Sequence, residues 1–321
     1  MNAPSLTVLI CTHNRSALLT RVLESLNSAP RPAGCKVEIL VVANACSDDT
    51  HSFLDAYRKQ SSSRGWLPLA WFAEPVPGKS NALNAAMPRL SSDMVAFVDD
   101  DHRVDTHYLT EVCRAAATWP EADLFCGRIL PDWDGTEPTW VHDTGPYRIY
   151  PLPVPRYDHG MDSREIGDAG PLPGGGNLFL RTSWLARVGP FATDFGPVGH
   201  DLGGAEDLEW IRRALALGAR LRYAPDALQY HYVDGDRLRF GYLMRKAFER
   251  SASSIRLRQQ VDKVPLFTYR KAAGYLAQSL VSLNWPRRRF FMVRLAAAVG
   301  EIKGYRQVVA ERRTHRVENV S

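Results

Sequence analysis

The 321-residue chain lacks the signatures of several large protein classes. No G-x-G-x-x-G follows its first strand-like segment and no G-x-x-x-x-G-K-[ST] occurs, so the sequence predicts neither dinucleotide binding nor P-loop chemistry. Its five cysteines are odd in number and lack metal-ligand spacing, which indicates reduced thiols in a cytosolic protein. The N-terminus lacks the pattern of a signal peptide, and no segment approaches the roughly 20 apolar residues of a membrane-spanning helix. We therefore expect a cytoplasmic protein.

Acidic residues are scarce in the C-terminal quarter of the chain. Residues 237–321 contain 19 Lys and Arg but 5 Asp and Glu (net +14), whereas residues 1–236 contain 21 and 30 (net −9). A basic region on an acidic body predicts contact with an anionic surface, either phospholipid or nucleic acid. Because no nucleic-acid recognition module accompanies the charge, we expect peripheral contact with the anionic inner face of the cytoplasmic membrane. The alternative is a helical appendage that packs its apolar side on the rest of the protein.

Strand-like and helical segments alternate through the first 127 residues. This alternation predicts an α/β fold with a parallel sheet. The apolar, β-branched runs cover residues 6–11, 37–43, 69–72 and 94–98. Residues 131–173 are rich in Pro, Asp, Tyr and Trp with little periodicity, which is typical of a functional loop. From residue 237 onward the pattern is helical and basic.

The run at residues 94–98 stops in three consecutive carboxylates, Asp99, Asp100 and Asp101. Adjacent anions repel, so each must be solvated or neutralised. A hard divalent cation, Mg²⁺ or Mn²⁺, would neutralise them with the strand end as its rigid mount. The alternative is a solvated acidic turn in which Asp100 or Asp101 caps the following helix. In open α/β sheets the crevice beyond the carboxyl ends of the strands is where ligands bind, so we expect a ligand site here.

Polar residues also follow the other strand-like runs, at the turns that lead into helices. Small polar side chains and cations at such turns suit contact with a nucleotide base or phosphate. Helix capping by Asn14 or Ser16 and an ordinary exposed lysine are the alternatives. The residues concerned are Thr12, Asn14 and Arg15 after the first run, Asn44 and Asp48 after the second, and Lys79 in a Pro/Gly-bent loop after the third.

An acidic pair, Glu206 and Asp207, begins a predicted helix after a glycine-containing loop. Acids at a helix N-terminus are favoured by the helix dipole alone. Such a pair can also project a general base into a site. Residues 174–176 are three glycines, which let a backbone approach a ligand closely. On the residues alone, both explanations of the acidic pair stay open.

Taken in order, these segments resemble glycosyltransferase family 2, the inverting transferases of GT-A fold. The resemblance covers about residues 5–235. Each segment is weak singly, and it is their order and spacing that carry the resemblance. The segments are VLICTHNR (8–15), ILVVANACSDDT (39–50), PGKSNAL (77–83), AFVDDDHRV (96–104), GGNLFLR (175–181) and VGPF (188–191), followed by residues 205–210 and 223–231.

The resemblance implies an α/β GT-A fold, a mostly parallel sheet flanked by helices, with a helical basic C-terminal extension. The catalytic domain would span residues 1–236, with a nucleotide-binding half to about residue 127 and an acceptor-binding half over about 128–236. Residues 237–321 would form the extension. The implied reaction moves a sugar, with inversion, from a nucleotide-diphosphate sugar to a hydroxyl of a carbohydrate, lipid-linked or small-molecule acceptor. Such transfers build polysaccharide, glycolipid or other glycoconjugates.

The resemblance also implies roles for individual residues. Asp99 and Asp101 would hold the Mg²⁺ or Mn²⁺ ion, with His231 as a further metal contact. Asp207 would be the catalytic base that deprotonates the acceptor hydroxyl, and Glu206 would orient the acceptor or have a supporting role. The nucleotide would lie against the strand-end residues Thr12, Asn14, Arg15, Asn44, Asp48, Lys79, Asp99 and Asp100.

The chain departs from the family pattern at two points. Position 43 is alanine where the family commonly has a base-contacting aspartate, which leaves UDP, GDP and dTDP open as the nucleotide. The QxxRW signature of processive polysaccharide synthases is absent, which favours addition of a single sugar.

Two other functions stay open. A sugar-phosphate nucleotidyltransferase would use a similar sheet and metal site, but it usually has a glycine-rich loop after the first strand, and this chain lacks those glycines. A non-catalytic carbohydrate-binding protein of the same fold is the second alternative. The intact acids Asp99, Asp101, Glu206 and Asp207 argue against it.

Overall fold

The computed structural model describes residues 4–193, 206–258 and 263–318. Within these ranges the strands form one sheet in the order β3-β2-β1-β4-β8-β6-β9-β5, and β7 pairs with β9. The strands are β1 (Ser5–Thr12), β2 (Lys36–Asn44), β3 (Leu69–Glu74), β4 (Met94–Phe97), β5 (His102–Val104), β6 (Leu124–Asp132), β7 (Arg164–Ile166), β8 (Leu178–Arg181) and β9 (Leu221–Tyr232). The helices are α1 (Ser16–Ser28), α2 (Thr50–Ser61), α3 (Lys79–Ala86), α4 (Tyr108–Thr118), α5 (Ser183–Val188), α6 (Glu206–Ala216), α7 (Phe240–Arg258), α8 (Leu266–Val281) and α9 (Trp285–Glu318).

The first four strands of the sheet order, β3, β2, β1 and β4, are parallel to one another. β1 is buried on both faces over most of its length, which explains its nearly continuous apolar sequence. Connecting helices cover the two faces, as the alternating pattern predicts. The α/β class expected from the sequence is therefore confirmed.

The other half of the sheet is mixed. β8 runs antiparallel to both β4 and β6, whereas β6 and β9 are parallel. β5 and β7 both pair antiparallel with β9. The chain enters β8 from the edge where β4 ends, through a short 3-10 helix at Gly175–Asn177, so β8 must run away from that edge. This entry point brings the glycine run beside the carboxyl end of β4.

Each face of the sheet has its own hydrophobic core. On one face α1, α2 and α4 contribute Leu19, Leu54 and Tyr108. On the other face α3, α5 and α6 contribute Leu83, Trp184 and Trp210. All six side chains are buried, so the strand ends that form the candidate site are mounted on a rigid framework.

The chain divides into two compact units. The first, residues 1–132 and 155–232, contains the whole described sheet, and the second, residues 133–154 and 233–321, contains α7, α8 and α9. The functional boundaries expected near residues 127 and 236 stay predictions. Among the described residues, no helix is both long and apolar enough to cross a membrane.

In the second unit, α7 and α8 both pack on α9. A Cβ atom at Gly300 of α9 would lie 2.1 Å from the carbonyl oxygen of Phe248 on α7, so the two helices can approach this closely only with glycine at that position. The irregular segment 133–154 belongs to this unit. Its Asp143 pairs with buried Arg289 of α9, and the Arg289 guanidinium lies over the ring of Trp140.

Candidate active site

The carboxyl ends of β1, β2 and β4 meet at one edge of the sheet. Because the three strands are parallel and in register, Thr12 ends β1 beside Ala43 of β2, and Leu9 of β1 pairs with Phe97 at the end of β4. The three aspartates that follow β4 are therefore delivered to the same edge as the turns after β1 and β2. The convergence predicted from the sequence is present.

Lys79 joins two of the predicted acids. Its Nζ lies 2.8 Å from Asp99 Oδ1 and 3.7 Å from Asp207 Oδ2. Burial by itself would lower the pKa of Lys79, but Asp207 and Asp99 outweigh it and raise the pKa well above its usual value. Likewise, burial would raise the pKa of Asp99, but Lys79 holds it below the usual range. Residues far apart in the sequence thus form one charged cluster at the strand ends.

The glycine run allows these acids to come close to the backbone. The Gly175 amide donates a hydrogen bond to Asp207 Oδ2 at 2.9 Å. A Cβ atom at Gly175 would lie 2.4 Å from the Asp207 carboxylate, and one at Gly176 would lie 2.6 Å from Asp99 Oδ2. The sequence predicted close approach to a ligand; in the structure, the glycines make room for the two carboxylates.

Glu206, the neighbour of Asp207, is only 1% exposed. Burial, with the nearby charge of Asp207, raises the pKa of Glu206 to about 7. Its Oε2 atom has no hydrogen-bond partner among the described residues. A carboxyl in this environment favours the protonated form.

Arg15 bridges the other two aspartates of the triad. Its Nη1 lies 2.9 Å from Asp100 Oδ1 and 3.2 Å from Asp101 Oδ2. Asp100 is buried, and burial raises its pKa to about 6 although Arg15 acts in the opposite direction. Thr12 is buried at the end of β1. The turn after β1 therefore contributes a cation directly to the acidic strand end.

Two of the predicted nucleotide-contact residues, Asn14 and Asp48, connect the turns after β1 and β2. Asn14, at a positive φ of 52°, accepts hydrogen bonds from the amides of Ser47 (2.7 Å) and Asp48 (3.2 Å). The Asp48 carboxylate accepts from the Thr50 amide and hydroxyl at the start of α2. These contacts fix the loops that surround the site, and the predicted ligand role of both residues stays a prediction.

Asn44, another predicted contact, is buried and holds the loop that carries Lys79. Its Nδ2 donates to the carbonyls of Glu74 (3.2 Å) and Val76 (2.7 Å), and its Oδ1 accepts from the Gly78 amide at 2.8 Å. All of these partners are backbone groups just before Lys79. Asn44 therefore positions the lysine, and direct contact with a nucleotide stays a prediction.

Asp101, His102 and His231 form a cluster that could hold a metal ion, because one ligand atom from each lies within 4.8 Å of the others. Asp101 oxygens lie 3.8 Å from His102 Nε2 and 3.6 Å from His231 Nε2. Of the predicted metal ligands, Asp101 and His231 are thus brought together, whereas Asp99 pairs with Lys79 and its Oδ2 lies 3.9 Å from His102 Nε2. His102 was missed by sequence reasoning, although it directly follows the aspartate triad and β5 places it opposite His231.

Hydrogen bonding fixes the side-chain orientation of two buried amides beneath this cluster. Asn177 Nδ2 lies 2.7 Å from the Arg128 carbonyl and 2.8 Å from the Ala227 carbonyl. Carbonyl oxygens only accept, so these contacts must be made by the amide nitrogen of Asn177, and its Oδ1 is left to face Gln229. Gln229 Nε2 donates to that oxygen at 3.1 Å and to the Phe97 carbonyl at 3.2 Å.

This chain of hydrogen bonds assigns the proton position on His102. Because Gln229 Nε2 donates to two carbonyl oxygens, it is Gln229 Oε1 that faces His102 Nδ1 at 2.7 Å. An amide oxygen can only accept, so His102 Nδ1 must donate to it. His231 Nδ1 likewise donates to the Tyr232 carbonyl at 2.5 Å. Both rings therefore have their proton on Nδ1 and present Nε2 to Asp101.

The cluster has the chemistry of a cation site. The Nε2–Asp101 distances of 3.6 Å and 3.8 Å exceed those of hydrogen bonds, so an Nε2 proton would have no acceptor there. Burial lowers the pKa of His231, which favours the neutral ring. Two nitrogen lone pairs and a carboxylate thus converge without a hydrogen between them, and a divalent cation would complete the arrangement.

Solved structures with a similar fold define the class. S. aureus TarS 1-349 in complex with UDP matches with a TM-score of 0.53 and 17% identity, covering 97% of this chain and 92% of that one. The mannosyltransferase PcManGT from Pyrobaculum calidifontis, in complex with GDP-Man and Mn²⁺, matches with a TM-score of 0.54 and 19% identity, covering 93% and 86%. At this identity the likeness establishes the fold, which is that of GT-A transferases.

The family follows from the sequence comparisons. The model of glycosyl transferase family 2 matches residues 7–189, more than half of the chain, which therefore belongs to glycosyltransferase family 2. The succinoglycan biosynthesis protein ExoM of Rhizobium meliloti is 21% identical over 77% of this chain and 73% of its own length. Glycosyltransferase AglE of Haloferax volcanii is 25% identical over 82% and 77%. The chain is a glycosyltransferase, and the nucleotidyltransferase and non-catalytic alternatives are disfavoured.

Proposed function

We propose that the protein is an inverting, divalent-metal-dependent transferase that moves a sugar from a nucleotide-diphosphate sugar to an acceptor hydroxyl. The observation that carries this proposal is the convergence of Asp101, His102 and His231 through lone-pair atoms. The Lys79–Asp99–Asp207 cluster lies at the same strand ends. Cation ligands and a carboxylate base are the two parts that such a transfer needs.

Asp101, His102 and His231 would hold the Mn²⁺ or Mg²⁺ ion. Mixed imidazole and carboxylate ligands suit Mn²⁺ better than Mg²⁺, which prefers oxygen ligands. When bound, the ion supplies positive charge to the diphosphate leaving group. The likeness to a mannosyltransferase solved with GDP-Man and Mn²⁺ supports this choice.

Arg15 and Lys79 are the cations of this chain that we assign to the donor side. Arg15 is partly exposed and lies on Asp100 and Asp101, so its guanidinium can turn to a diphosphate oxygen. Thr12 and Asn14 belong to the same turn. Ala43 supplies no carboxylate for base recognition, and solved neighbours bind UDP, UDP-GlcNAc or GDP-Man, so we propose a UDP-, GDP- or dTDP-sugar donor.

Asp207 is the proposed base. Its side chain is 14% exposed, whereas Glu206 is nearly inaccessible, so an acceptor can reach Asp207 first. Asp207 would take the acceptor proton as the acceptor oxygen forms its bond to C1 and the bond from C1 to the diphosphate breaks, which inverts C1. Lys79 and the Gly175 amide hold the Asp207 carboxylate in place, and we assign the neighbouring buried Glu206 a supporting role.

The names of the relatives support a role in glycoconjugate synthesis. ExoM is a succinoglycan biosynthesis protein, and a third relative, the pre-mycofactocin glycosyltransferase of Mycobacterium tuberculosis, is 24% identical over 92% of this chain and 56% of its own length. We propose a carbohydrate, lipid-linked or small-molecule acceptor in polysaccharide, glycolipid or other glycoconjugate synthesis. Single-sugar transfer fits the absence of the processive signature.

The test is a panel of UDP-, GDP- and dTDP-sugars incubated with the protein and Mn²⁺, with release of the nucleoside diphosphate as readout. Release from at least one donor, lost in Asp101→Asn, is expected. Asp132→Asn is the matched control, because Asp132 pairs with Arg21 and Arg103 in the same unit and is not part of the metal cluster. If no donor binds or turns over, or if Asp101→Asn is as active as the wild type, the proposal is wrong.

A further inference from the structure

The helix α8 (Leu266–Val281) has its polar and apolar sides reversed relative to an ordinary surface helix. Its buried residues are Thr268 and Ser279, and buried Ser282 follows directly. Its outward side is apolar: Leu266 is 74% exposed, Leu280 is 68% exposed, and Leu283 in the following turn is fully exposed. We define the outer α8 face as the exposed side chains Leu266, Phe267, Leu276, Leu280, Val281, Leu283 and Trp285.

The contacts on the inner side of α8 do not account for the burial of its hydroxyls. Hydroxyls on the inner side of α8 bond to their own helix, as Ser279 Oγ does to the Leu276 carbonyl at 2.7 Å. Lys271 of α8 pairs with Glu301 of α9 at 2.7 Å, so the contact between these two helices is partly polar. The large aliphatic and aromatic side chains are therefore the ones exposed to water, although they are the residues that burial would stabilise most.

Exposed cations lie within α8 and close to it in the sequence on both sides. Lys263 precedes the helix, Arg270 lies within it and Arg288 follows it, and each is exposed. No acidic side chain among the described residues pairs with any of the three. Trp285 lies in sequence between the apolar turn and Arg288, and Trp at such a boundary is typical of membrane interfaces.

We propose that the outer α8 face lies in the interface of a membrane leaflet that contains anionic phospholipid, with Leu280 and Leu283 inserted among the acyl chains. The unpaired cations then meet lipid phosphates, and the apolar side chains leave water. A second copy of the chain fits the face less well, because a two-fold contact would bring the same cations against one another. Since no described helix can span a bilayer, contact in the plane of the interface is the mode that fits.

Co-sedimentation of the full-length protein with vesicles tests the proposal. The wild type is expected to bind phosphatidylglycerol–phosphatidylcholine vesicles more tightly than phosphatidylcholine alone. Leu280→Asn/Leu283→Asn is expected to lower the vesicle affinity by at least about tenfold, because two large apolar side chains no longer insert. Arg270→Gln/Arg288→Gln is expected to lower affinity for the anionic vesicles by roughly thirtyfold, since each basic residue contributes about fivefold.

Leu217→Asn is the matched control. Leu217, directly after α6 in the first unit, is an exposed leucine at 52%, so its replacement tests a general loss of surface apolarity. It is expected to bind vesicles as the wild type does. If the leucine pair can be replaced without loss of vesicle binding, the proposal is wrong. It is equally wrong if the wild type does not bind vesicles and analytical ultracentrifugation shows a dimer that the leucine replacements dissociate. Neither result depends on sugar transfer.

Discussion

The two units of this protein treat polar and apolar side chains in opposite ways. The first unit buries ionisable groups at the strand ends: Glu206, Asp100 and His102 are nearly inaccessible there, and Lys79 lies between two aspartates. The second unit buries hydroxyls between helices and exposes leucines. Burying charge is costly unless it is paired, and exposing apolar area forfeits the hydrophobic effect. These two departures are the basis for the ligands that we propose: a cation and a diphosphate for the first unit and a lipid surface for the second.

The largest expected effect comes from removing the proposed base. Asp207→Asn keeps the shape of the side chain but cannot accept the acceptor proton, so we expect initial transfer rates to fall by on the order of a thousandfold. The KM for the donor should change little, because the donor contacts are made by other residues. Initial rates at saturating donor measure this.

Glu209→Gln is the matched control for that experiment. Glu209 lies in the first turn of the same helix and pairs with Arg213 at 2.6 Å, away from the Lys79 cluster. Its transfer rate should stay near that of the wild type. An Asp207→Asn enzyme as fast as the Glu209→Gln enzyme would contradict the assignment of the base.

The buried carboxyl of Glu206 should make stability depend on pH. Its folded pKa of about 7 lies above the ordinary value of 4.5, so folding favours the protonated form. That stabilisation is complete below pH 4.5 and is lost as pH rises through 7. Glu206→Gln stays neutral, so above pH 8 it should exceed the wild type in free energy of unfolding by up to about 3 kcal/mol.

Urea unfolding of the metal-free protein at pH 5 and pH 8 measures this difference. The gap between wild type and Glu206→Gln should widen from the lower to the higher pH. The Glu209→Gln variant should track the wild type at both. A gap that is equal at the two pH values would contradict the raised pKa.

A smaller effect is expected from replacing Gln229, whose amide lies beneath the proposed metal ligands. Gln229→Met leaves His102 Nδ1 without its acceptor, which frees the ring to rotate or to change tautomer. We expect the affinity for Mn²⁺, measured by electron paramagnetic resonance, to fall by about 10- to 100-fold. In the wild type, nitrogen NMR of labelled histidine should report the proton on His102 Nδ1.

Tyr108→Phe is the control for the amide. Gln229 Nε2 also contacts the Tyr108 hydroxyl at 2.8 Å, but the Phe97 and Asn177 oxygens are sufficient to hold its two hydrogens. Mn²⁺ affinity should therefore be close to that of the wild type. A wild-type His102 protonated on Nε2 alone would overturn the proton assignment.

The smallest expected effect is on the free energy of unfolding when the exposed leucines of the second unit are replaced. Leu280→Asn/Leu283→Asn should change the free energy of unfolding by no more than about 0.5 kcal/mol, because both side chains are exposed in the free protein. Leu23→Asn in the buried core of the first unit should cost several kcal/mol by comparison. Thermal unfolding without lipid measures both. A large loss in the α8 variant would show that its leucines are buried in solution.

Local sequence signals were sufficient for the parallel half of the sheet. Apolar runs that stop in polar turns predict β1, β2 and the end of β4 with its three aspartates. β9 runs as one strand from Leu221 to Tyr232, although Pro225 lies within it. Its pairing with β6 shifts register between Cys126 and Arg128, and this irregularity accommodates the proline.

The site was only partly predictable, because a local sequence pattern does not show which distant residues come into contact. Asp101 and His231 were expected as metal ligands, but His102 was not, since β5 is a three-residue strand without a periodic signal. The nucleotide contact expected of Asn44 stays a prediction, whereas its hydrogen bonds to the backbone before Lys79 could not be read from the sequence. Residues 194–205, which precede the acidic pair Glu206 and Asp207, lie outside the described residues.

The position of Mn²⁺ in a crystal of the protein grown with Mn²⁺ and a nucleoside diphosphate, measured by anomalous scattering, tests the proposed metal ligands most directly. We expect a peak in ligand contact with Asp101, His102 Nε2 and His231 Nε2, with Lys79 still on Asp99. A peak held by Asp99 alone, away from both histidines, would contradict it.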